Sequence, residues 1–327
     1  MTALLTKIIY GINALINNYG ISIILFTLLV KLILLPLDFK SRKGMRKTTL
    51  IQPEIQRLQK KYANDKEKMN QKMAELYRKE GVSPMSGCLP MIASMVVLWF
   101  MWGALREVAN TELAKQCLAM IANGSVEYEG FLWIKNIWMP DSPFTSLIAN
   151  QNILAMVKPE LWQEVLAEMS LNADQFAASL AAQGLTAETI SSETVFTALQ
   201  ALPTYAEQTK LWSFMPAVNL LITQLPIYAK GNGLFVLPIL SAVTQYLMTL
   251  TQPQQNAANG QNNGTGNFMK YFFPLFSLWI CASQNALFSL YWVISNIFAG
   301  VQTVVLNKVF ESMEKKEKAT KKEENLK

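Results

Sequence analysis

Long apolar runs divide the chain into membrane-sized segments and water-soluble segments. The runs occupy residues 19–37, 85–105, 234–251 and 268–306. A helix of about 20 apolar residues crosses the ~30 Å hydrocarbon core of a bilayer. The last run is about twice that length and is interrupted by the polar trio Ser283-Gln284-Asn285, which predicts two helices joined by a tight turn. The pattern therefore predicts an all-α integral membrane protein with five transmembrane helices.

The chain begins with a shorter apolar segment. Residues 1–18 are apolar on one helical face and too short to span, which predicts an interfacial amphipathic helix. A secretory signal peptide is the alternative, but no small-residue cleavage site precedes Tyr19, and the segment carries Asn and Gly.

The charge of the connecting segments predicts the topology. Residues 38–84 hold thirteen Lys or Arg against six acidic residues, and the tail 307–327 holds seven lysines and five glutamates. Residues 106–232 instead hold six basic and twelve acidic residues. Because cytoplasmic loops are enriched in Lys and Arg, we expect a multi-pass protein of the cell membrane with its N-terminus outside and its C-terminus in the cytoplasm.

Residues 38–84 are predicted to form a basic cytoplasmic helical hairpin that turns at Asn64-Asp65, with Gly81 and Pro84 ending its second helix. Its basic faces have two interpretations. They anchor the hairpin to anionic lipid, or they dock the ribosome, a nascent chain or the targeting machinery. The apolar residues recur at helical spacing on two stripes: Ile51, Ile55, Leu58 and Tyr62, then Met69, Met73, Leu76 and Tyr77.

Residues 106–233 are predicted to be an extracytoplasmic loop with an accessory helical insertion. The Trp- and Pro-rich stretch 125–143 fits a loop that lies along the membrane interface, and residues 158–210 predict two or three short acidic amphipathic helices. The apolar segment 211–229 is interpreted as interfacial or re-entrant, because a sixth crossing there would put the Lys-rich tail outside. Residues 252–267, rich in Gln, Asn and Gly, predict a flexible cytoplasmic linker.

Lys31 stands alone in the first apolar run, and no apolar run contains Asp or Glu. An ammonium ion at the centre of a span costs roughly 2.5–3.5 kcal/mol on insertion scales, so it favours a water-filled interior that receives a partner from outside the protein. Alternatively, Lys31 snorkels toward Asp38, two turns nearer the cytoplasm. Other polar residues of the spans are candidates for lining a hydrophilic groove or for ordinary helix–helix hydrogen bonds: Thr27, Gln245, Ser295, Asn296 and Gln302.

Several classes of chemistry are disfavoured by composition. The chain has no His, which removes the usual general base and the commonest metal ligand. Its three cysteines, Cys88, Cys117 and Cys281, show no metal-ligand or redox spacing. We therefore predict no catalytic residue, no cofactor, no metal site and no structural disulfide.

The order of these elements and several local sequences resemble the YidC/Oxa/Alb family of membrane protein insertases. Lys31 falls where the family usually has Arg, with Pro36-Leu37 following at the matching distance. The resemblance covers roughly residues 4–140 and 233–310, and residues 145–232 are an insertion relative to short members. The matching segments are Asn18-Tyr19-Gly20, Gln52-Pro53-Glu54-Ile55-Gln56, the Pro-x-x-Gly-Cys-x-Pro run of residues 84–90, Leu237-Pro238-Ile239-Leu240, Met269 to Pro274 and Leu290-Tyr291-Trp292-Val293-Ile294-Ser295-Asn296.

The resemblance implies an insertase or chaperone that passes hydrophobic segments of new proteins through a groove bearing Lys31 into lipid, alone or with the Sec translocon. The implied partners are nascent membrane proteins and membrane lipids, with the ribosome and the Sec translocon as further candidates and no specific nucleic-acid recognition. A small-solute transporter is the alternative, although transporters usually show paired internal repeats that this sequence lacks. An intramembrane enzyme would need acids or histidines within the spans.

Overall fold

The computed structural model describes residues 1–81, 89–170, 174–219, 224–251 and 264–324. Within them the chain is predominantly helical, and its one regular sheet is a short antiparallel ribbon. The elements are α1 Thr2–Ile16, α2 Tyr19–Leu50, α3 Gln52–Lys61, α4 Lys66–Lys79, α5 Leu89–Asn123, α6 Gln151–Leu154, α7 Pro159–Ser170, α8 Asp174–Ala182, α9 Ser192–Gln200, α10 Pro203–Gln208, β1 Ala217–Asn219, β2 Gln224–Pro226, α11 Val236–Thr251, α12 Gly264–Ser283 and α13 Ala286–Glu324.

Two compact units share these elements. The loop-rich unit comprises Met1–Phe26, Phe100–Ser241 and Ser277–Val293. The hairpin unit comprises Thr27–Trp99, Ala242–Phe276 and Ile294–Lys327. Helices α2, α5, α11, α12 and α13 contribute residues to both units.

Two of the described helices, α2 and α13, are long and apolar enough to cross a membrane, while α1 and α11 are shorter apolar helices. The last apolar run is broken where the polar trio stands, since α12 ends at Ser283 and α13 begins at Ala286. The membrane class is thereby supported, and the number of five spans stays a prediction.

Helix α2 does not end at the predicted edge of the membrane. It continues through Pro36 and past Leu37 to Leu50. Proline removes one backbone donor but leaves the rest of the helical ladder intact, so the surrounding apolar helix carries on. The first part of the predicted hairpin segment is therefore an extension of α2.

The hairpin itself is formed by α3 and α4. Ile55 is fully buried between them. Asp65 begins α4 by accepting a hydrogen bond from the Lys68 amide at 3.0 Å, and Gly81 follows its end with φ +61°, a conformation that glycine adopts without strain. The turn at Asn64-Asp65 lies where the sequence indicated.

The long connection between α5 and α11 holds more structure than expected. Helix α5 runs on to Asn123, and residues 158–210 contain four helices, α7 to α10, instead of two or three. The described residues of the segment 211–229 include the antiparallel strands β1 and β2. The expectation of an interface loop at 125–143 is wrong for its centre, because Ile134, Ile137 and Met139 are buried in the core of the loop-rich unit.

Helix α5 also buries a thiol in this unit. Cys117 and Cys281 are both free and buried. Desolvation raises the pKa of the Cys117 thiol to about 12, so it stays protonated and unreactive at neutral pH.

Some predictions lie outside the described residues. These are most of the linker 252–267, of which only 264–267 are described as the start of α12, and residues 82–88 with the beginning of the second predicted span.

Candidate functional site

Within the hairpin unit, α2 and α13 pack along a seam of polar and aromatic contacts. The Gln302 amide donates to Asp38 at 3.3 Å, and the Arg42 guanidinium donates to the Thr303 hydroxyl at 2.8 Å. Further along, the ring centroids of Phe39 and Phe310 are 5.1 Å apart, and Arg46 forms two hydrogen bonds to Glu314 at 2.6 and 3.3 Å. Residue numbers rise together on the two helices, so the helices run parallel.

This parallel register places Lys31 at the level of Ser295. Each lies seven residues, about 10 Å of helix, before the contacting pair Asp38 and Gln302. Seven residues are close to two full turns, so Lys31 also lies on the same face of α2 as Asp38, and Ser295 on the same face of α13 as Gln302. Thr27 lies one turn before Lys31 on that face of α2 and is fully buried.

Lys31 is half-buried and forms no ion pair within the described part of the chain. The ionised groups that act on it electrostatically are Asp38 and Arg42, one of each sign. Asp38 is engaged at the same time by Gln302. The Lys31 ammonium is therefore half-buried, and the carboxylate that acts on it, Asp38, is already hydrogen-bonded to Gln302.

The polar residue of α13 at the level of Lys31 is Ser295. Its side chain is 9% exposed, and its hydroxyl has no hydrogen-bond partner among the described residues. A buried hydroxyl that finds no partner lowers stability by about 1–3 kcal/mol. A buried hydroxyl without a partner, at the level of the half-buried Lys31 ammonium, favours a site that binds another molecule.

The other candidates from the sequence divide between two interfaces. Gln302 belongs to the α2–α13 seam, as described. The Asn296 amide instead donates to the Thr244 hydroxyl of α11 at 3.3 Å, which is a helix–helix hydrogen bond. Gln245 is half-buried beside Thr244, and its side chain makes no hydrogen bond within the described residues.

Sequence reasoning did not identify the seam residues Arg42, Arg46 and Glu314, which it counted only as loop and tail charges. The signal was available in their spacing. Asp38, Arg42 and Arg46 recur at four-residue intervals, which places them on one helical face if α2 continues beyond Leu37.

A second polar cluster, also missed, lies in the loop-rich unit, and we call it the clamp: residues 129–141 with residues 231–234. Asp141 is fully buried and accepts backbone hydrogen bonds from Leu234 at 2.9 Å, Phe235 at 3.3 Å and Leu237 at 2.7 Å. The Trp133 indole donates at 3.2 Å to Oδ2, the oxygen that also accepts from the Leu237 amide. Asp141 thus caps the N-terminus of α11 from a distant part of the sequence.

The same segment satisfies the first turns of two other helices. The Glu129 carboxylate accepts from the Tyr19 amide of α2 at 3.2 Å. The Met139 and Ile137 carbonyls accept from the Ala286 and Leu287 amides of α13 at 2.9 and 3.1 Å. Three helices therefore have N-terminal donors paired with thirteen consecutive residues, 129–141.

Asn232 and Asn136 hold the clamp together, and both are fully buried. Asn232 accepts from the Asn136 amide at 2.7 Å and donates to the carbonyls of Asn136, Met139 and Pro140 at 2.8, 3.2 and 2.9 Å. The Asn136 side chain donates to Gln116 on α5 at 2.8 Å. The local signals in the sequence are the turn-forming runs Asp141-Ser142-Pro143 and Gly231-Asn232-Gly233.

Close approach explains two glycines of this region. A Cβ on Gly233 would collide with the Asp141 carboxylate, and one on Gly20 would collide with the Phe131 ring. Each glycine lets the clamp lie directly against the first turns of α11 or α2.

Comparisons with known proteins identify the family of the chain. A family model described as "60Kd inner membrane protein" matches residues 11–316. The membrane protein insertase YidC of Clostridium perfringens is 41% identical over 138 residues, which are 42% of this chain and 50% of that protein. The protein of the same name from Anaeromyxobacter dehalogenans strain 2CP-C is 34% identical over 163 residues, 49% of this chain and 27% of its own.

A third relative matches most of the chain at lower identity. The membrane protein insertase YidC of Chlorobaculum tepidum is 24% identical over 312 residues, 95% of this chain and 36% of that protein. The chain thus spans half or less of the length of the curated relatives described here.

Proposed function

The chain belongs to the 60Kd inner membrane protein family, the YidC/Oxa/Alb family, and we propose that it is a membrane protein insertase. It takes hydrophobic segments of newly made proteins from water into the bilayer, alone or with the Sec translocon. The observation that carries the proposal is that two polar groups lie at one level of two parallel helices. These are the half-buried Lys31 ammonium and the Ser295 hydroxyl, which has no hydrogen-bond partner among the described residues.

Lys31 has a direct electrostatic role in this proposal. An incoming segment with an acidic residue must bring a carboxylate out of water, and a fixed ammonium offsets part of the cost. The attraction of two charges 4 Å apart rises from ~1 kcal/mol in water to ~4 kcal/mol at an effective dielectric constant of 20. Thr27, Ser295, Asn296, Gln302 and Gln245 are the proposed polar lining of the groove.

The apolar faces of α11 and α13 provide the path into lipid. In the hairpin unit, Val243 and Leu247 are exposed on α11, and Val301 and Val305 are exposed on α13. Contiguous exposure of large apolar side chains is unfavourable in water and is expected where hydrocarbon covers the surface. A substrate helix that leaves the groove is proposed to follow these two faces.

The parallel seam supports the proposed topology. Phe39, Arg42 and Arg46 contact α13, so the C-terminal parts of α2 and α13 lie together, which supports a common side of the membrane for both. Both ends are rich in Lys and Arg, which favours the cytoplasm. Residues 106–233 are then extracytoplasmic, and the N-terminus is outside.

The partners are proposed from the same premises. Nascent membrane proteins and lipid follow from the activity itself. The basic α3–α4 hairpin, which is largely exposed, is proposed to meet the ribosome or the Sec translocon.

Charge reversal at Lys31 tests the mechanism. In proteoliposomes that insert a small membrane protein with an acidic external segment, we expect Lys31→Glu to abolish insertion, Lys31→Ala to weaken it and Lys31→Arg to retain it. Lys40→Glu is the matched control, because Lys40 is an exposed lysine of the same helix. All variants should keep the thermal unfolding midpoint of the parent protein.

Insertion at the parent rate by a correctly folded Lys31→Glu protein would contradict the groove mechanism. A chain whose absence leaves insertion intact but stops the uptake of one solute would be a transporter, and the family-based proposal would be wrong.

A further inference from the structure

The segment between α10 and α11 is an uncharged ribbon bounded by lysines. Residues 211–229 contain no Asp, Glu, Lys or Arg, while Lys210 and Lys230 stand at the two ends. The described strands pair antiparallel through β1 and β2, and the pairing extends to a hydrogen bond from the Trp212 amide to the Ile227 carbonyl at 2.8 Å. A two-stranded ribbon of this size is marginally stable in water on its own.

The ribbon exposes large apolar side chains. Phe214 is 86% exposed, Trp212 45% and Met215 42%. The Trp212 and Phe214 rings lie 5.9 Å apart, so they form one patch. An aromatic patch with lysines at its base has the composition of elements that insert into a membrane interface.

The base of the ribbon is fixed beside the N-terminus of α11. The Tyr228 amide donates to the Pro143 carbonyl at 3.1 Å, and the Asn232 amide donates to the Thr145 carbonyl at 2.9 Å. Two residues before Pro143, Asp141 caps the first turn of α11. The ribbon and the start of a predicted span are therefore held by one segment, residues 141–145.

Large apolar side chains are also exposed where the chain enters the predicted span, at Leu234 just before α11 and at Ile239 within it. Because the chain runs from the ribbon directly into a predicted span, lipid is favoured as the occupant over a second protein. The 211–229 segment carries no cationic group, so anionic headgroups are not needed for the contact.

We propose that the ribbon of residues 211–219 and 224–228 is a membrane anchor of the extracytoplasmic insertion, with Trp212, Phe214 and Met215 inserted in the outer leaflet. The proposal rests on the outer location of residues 106–233 and not on the insertase activity. It gives the extracytoplasmic segment an attachment to the bilayer in addition to the predicted spans at its two ends, which belong to α5 and α11.

Spin labels measure the depth directly. Phe214→Cys is labelled in a Cys88→Ser background in phosphatidylcholine nanodiscs, where buried Cys117 and Cys281 do not react. The matched control is Gln200→Cys, an exposed position at the end of α9 in the same insertion. We expect a several-fold higher ratio of oxygen to nickel-chelate collision at residue 214 than at residue 200.

Equal ratios at the two positions would overturn the proposal. A label at 214 that is shielded from both oxygen and nickel would also overturn it and would point to a second copy of the chain as the occupant. In right-side-out vesicles, reaction of Gln200→Cys with a membrane-impermeant maleimide should occur from outside, and reaction only from the cytoplasmic side would show that the topology is wrong.

Discussion

The clamp and the α2–α13 seam solve the same physical problem in opposite ways. Both place polar and charged groups at contacts between helices. In the clamp, Asp141 receives three backbone donors and an indole, and Asn232 and Asn136 are fully engaged. In the seam, Asp38, Arg42 and Arg46 are engaged, whereas Lys31 forms no ion pair and Ser295 no hydrogen bond with described residues.

The difference separates a part of the chain whose buried polar groups are fixed by hydrogen bonds from the part proposed to bind substrates. The buried side chains Asp141, Asn136 and Asn232 of the clamp are all hydrogen-bonded, which favours one fixed arrangement. In the seam, the proposed function assigns the Lys31 ammonium and the Ser295 hydroxyl to transient contacts with a passing segment. A site for many substrates needs polar groups that have no partner in their own chain. In a scaffold, such groups would only lower stability.

Removing the central carboxylate of the clamp is expected to have the largest effect. Asp141→Ala leaves the amides of Leu234, Phe235 and Leu237, at the start of α11, without this acceptor, and a hydrogen bond to a charged group contributes about 1.5–3 kcal/mol where it is buried, as at Leu237. We expect a loss of about 3 kcal/mol, or a fall of about 6–12 °C in the thermal unfolding midpoint in detergent. Asp141→Asn, which keeps an acceptor oxygen, should lose less than half of this. An unchanged midpoint for Asp141→Ala would mean that the clamp does not stabilise α11.

Filling the space beside Asp141 is the next test. The methyl group of Gly233→Ala would collide with the Asp141 carboxylate and must displace it, at a cost of about 1–3 kcal/mol. Gly300→Ala on α13 is the matched control, because nothing lies within 4 Å of its added Cβ. Calorimetry or thermal unfolding should separate the two variants, and equal midpoints would contradict the close packing of the clamp.

The ion pair of the seam should contribute less. Arg46 and Glu314 are partly exposed, at 26% and 33% of their side chains, so a double-mutant cycle to Ala should give a coupling of about 0.5–1 kcal/mol. The exposed pair Lys72 and Glu75 in the hairpin is the control, with an expected coupling below about 0.5 kcal/mol. A coupling at Arg46 no larger than in the hairpin would show that the seam contact is not maintained in solution.

The sequence predicted the seam and the clamp to different extents, for a physical reason. Apolar periodicity is local, so it predicted the two helices of the hairpin. The polar trio 283–285 predicted the break after Ser283, and the family was indicated by its resemblance in element order and short matching segments. The predicted end of α2 near residue 38 was wrong, because a change from apolar to charged residues marks a membrane edge and not the end of a helix. The clamp depends on pairs about 95 residues apart, such as Asp141 with Leu237, and on loop backbone that no periodicity encodes.

Ser295 gives the smallest expected effect on stability and the sharpest distinction between the two regions. Because its hydroxyl is buried without a partner, Ser295→Ala removes an unfavourable group and should leave the unfolding midpoint unchanged or slightly higher. The same variant should slow the insertion of acidic substrates if the hydroxyl serves them beside Lys31. Ser289→Ala is the contrast, since that buried hydroxyl donates to the Cys281 carbonyl at 2.9 Å, and its loss should lower the free energy of unfolding by about 1 kcal/mol and with it the midpoint. If Ser295→Ala destabilised the protein as much as Ser289→Ala, then Ser295 would be an ordinary structural hydroxyl, and the seam would be as fully satisfied as the clamp.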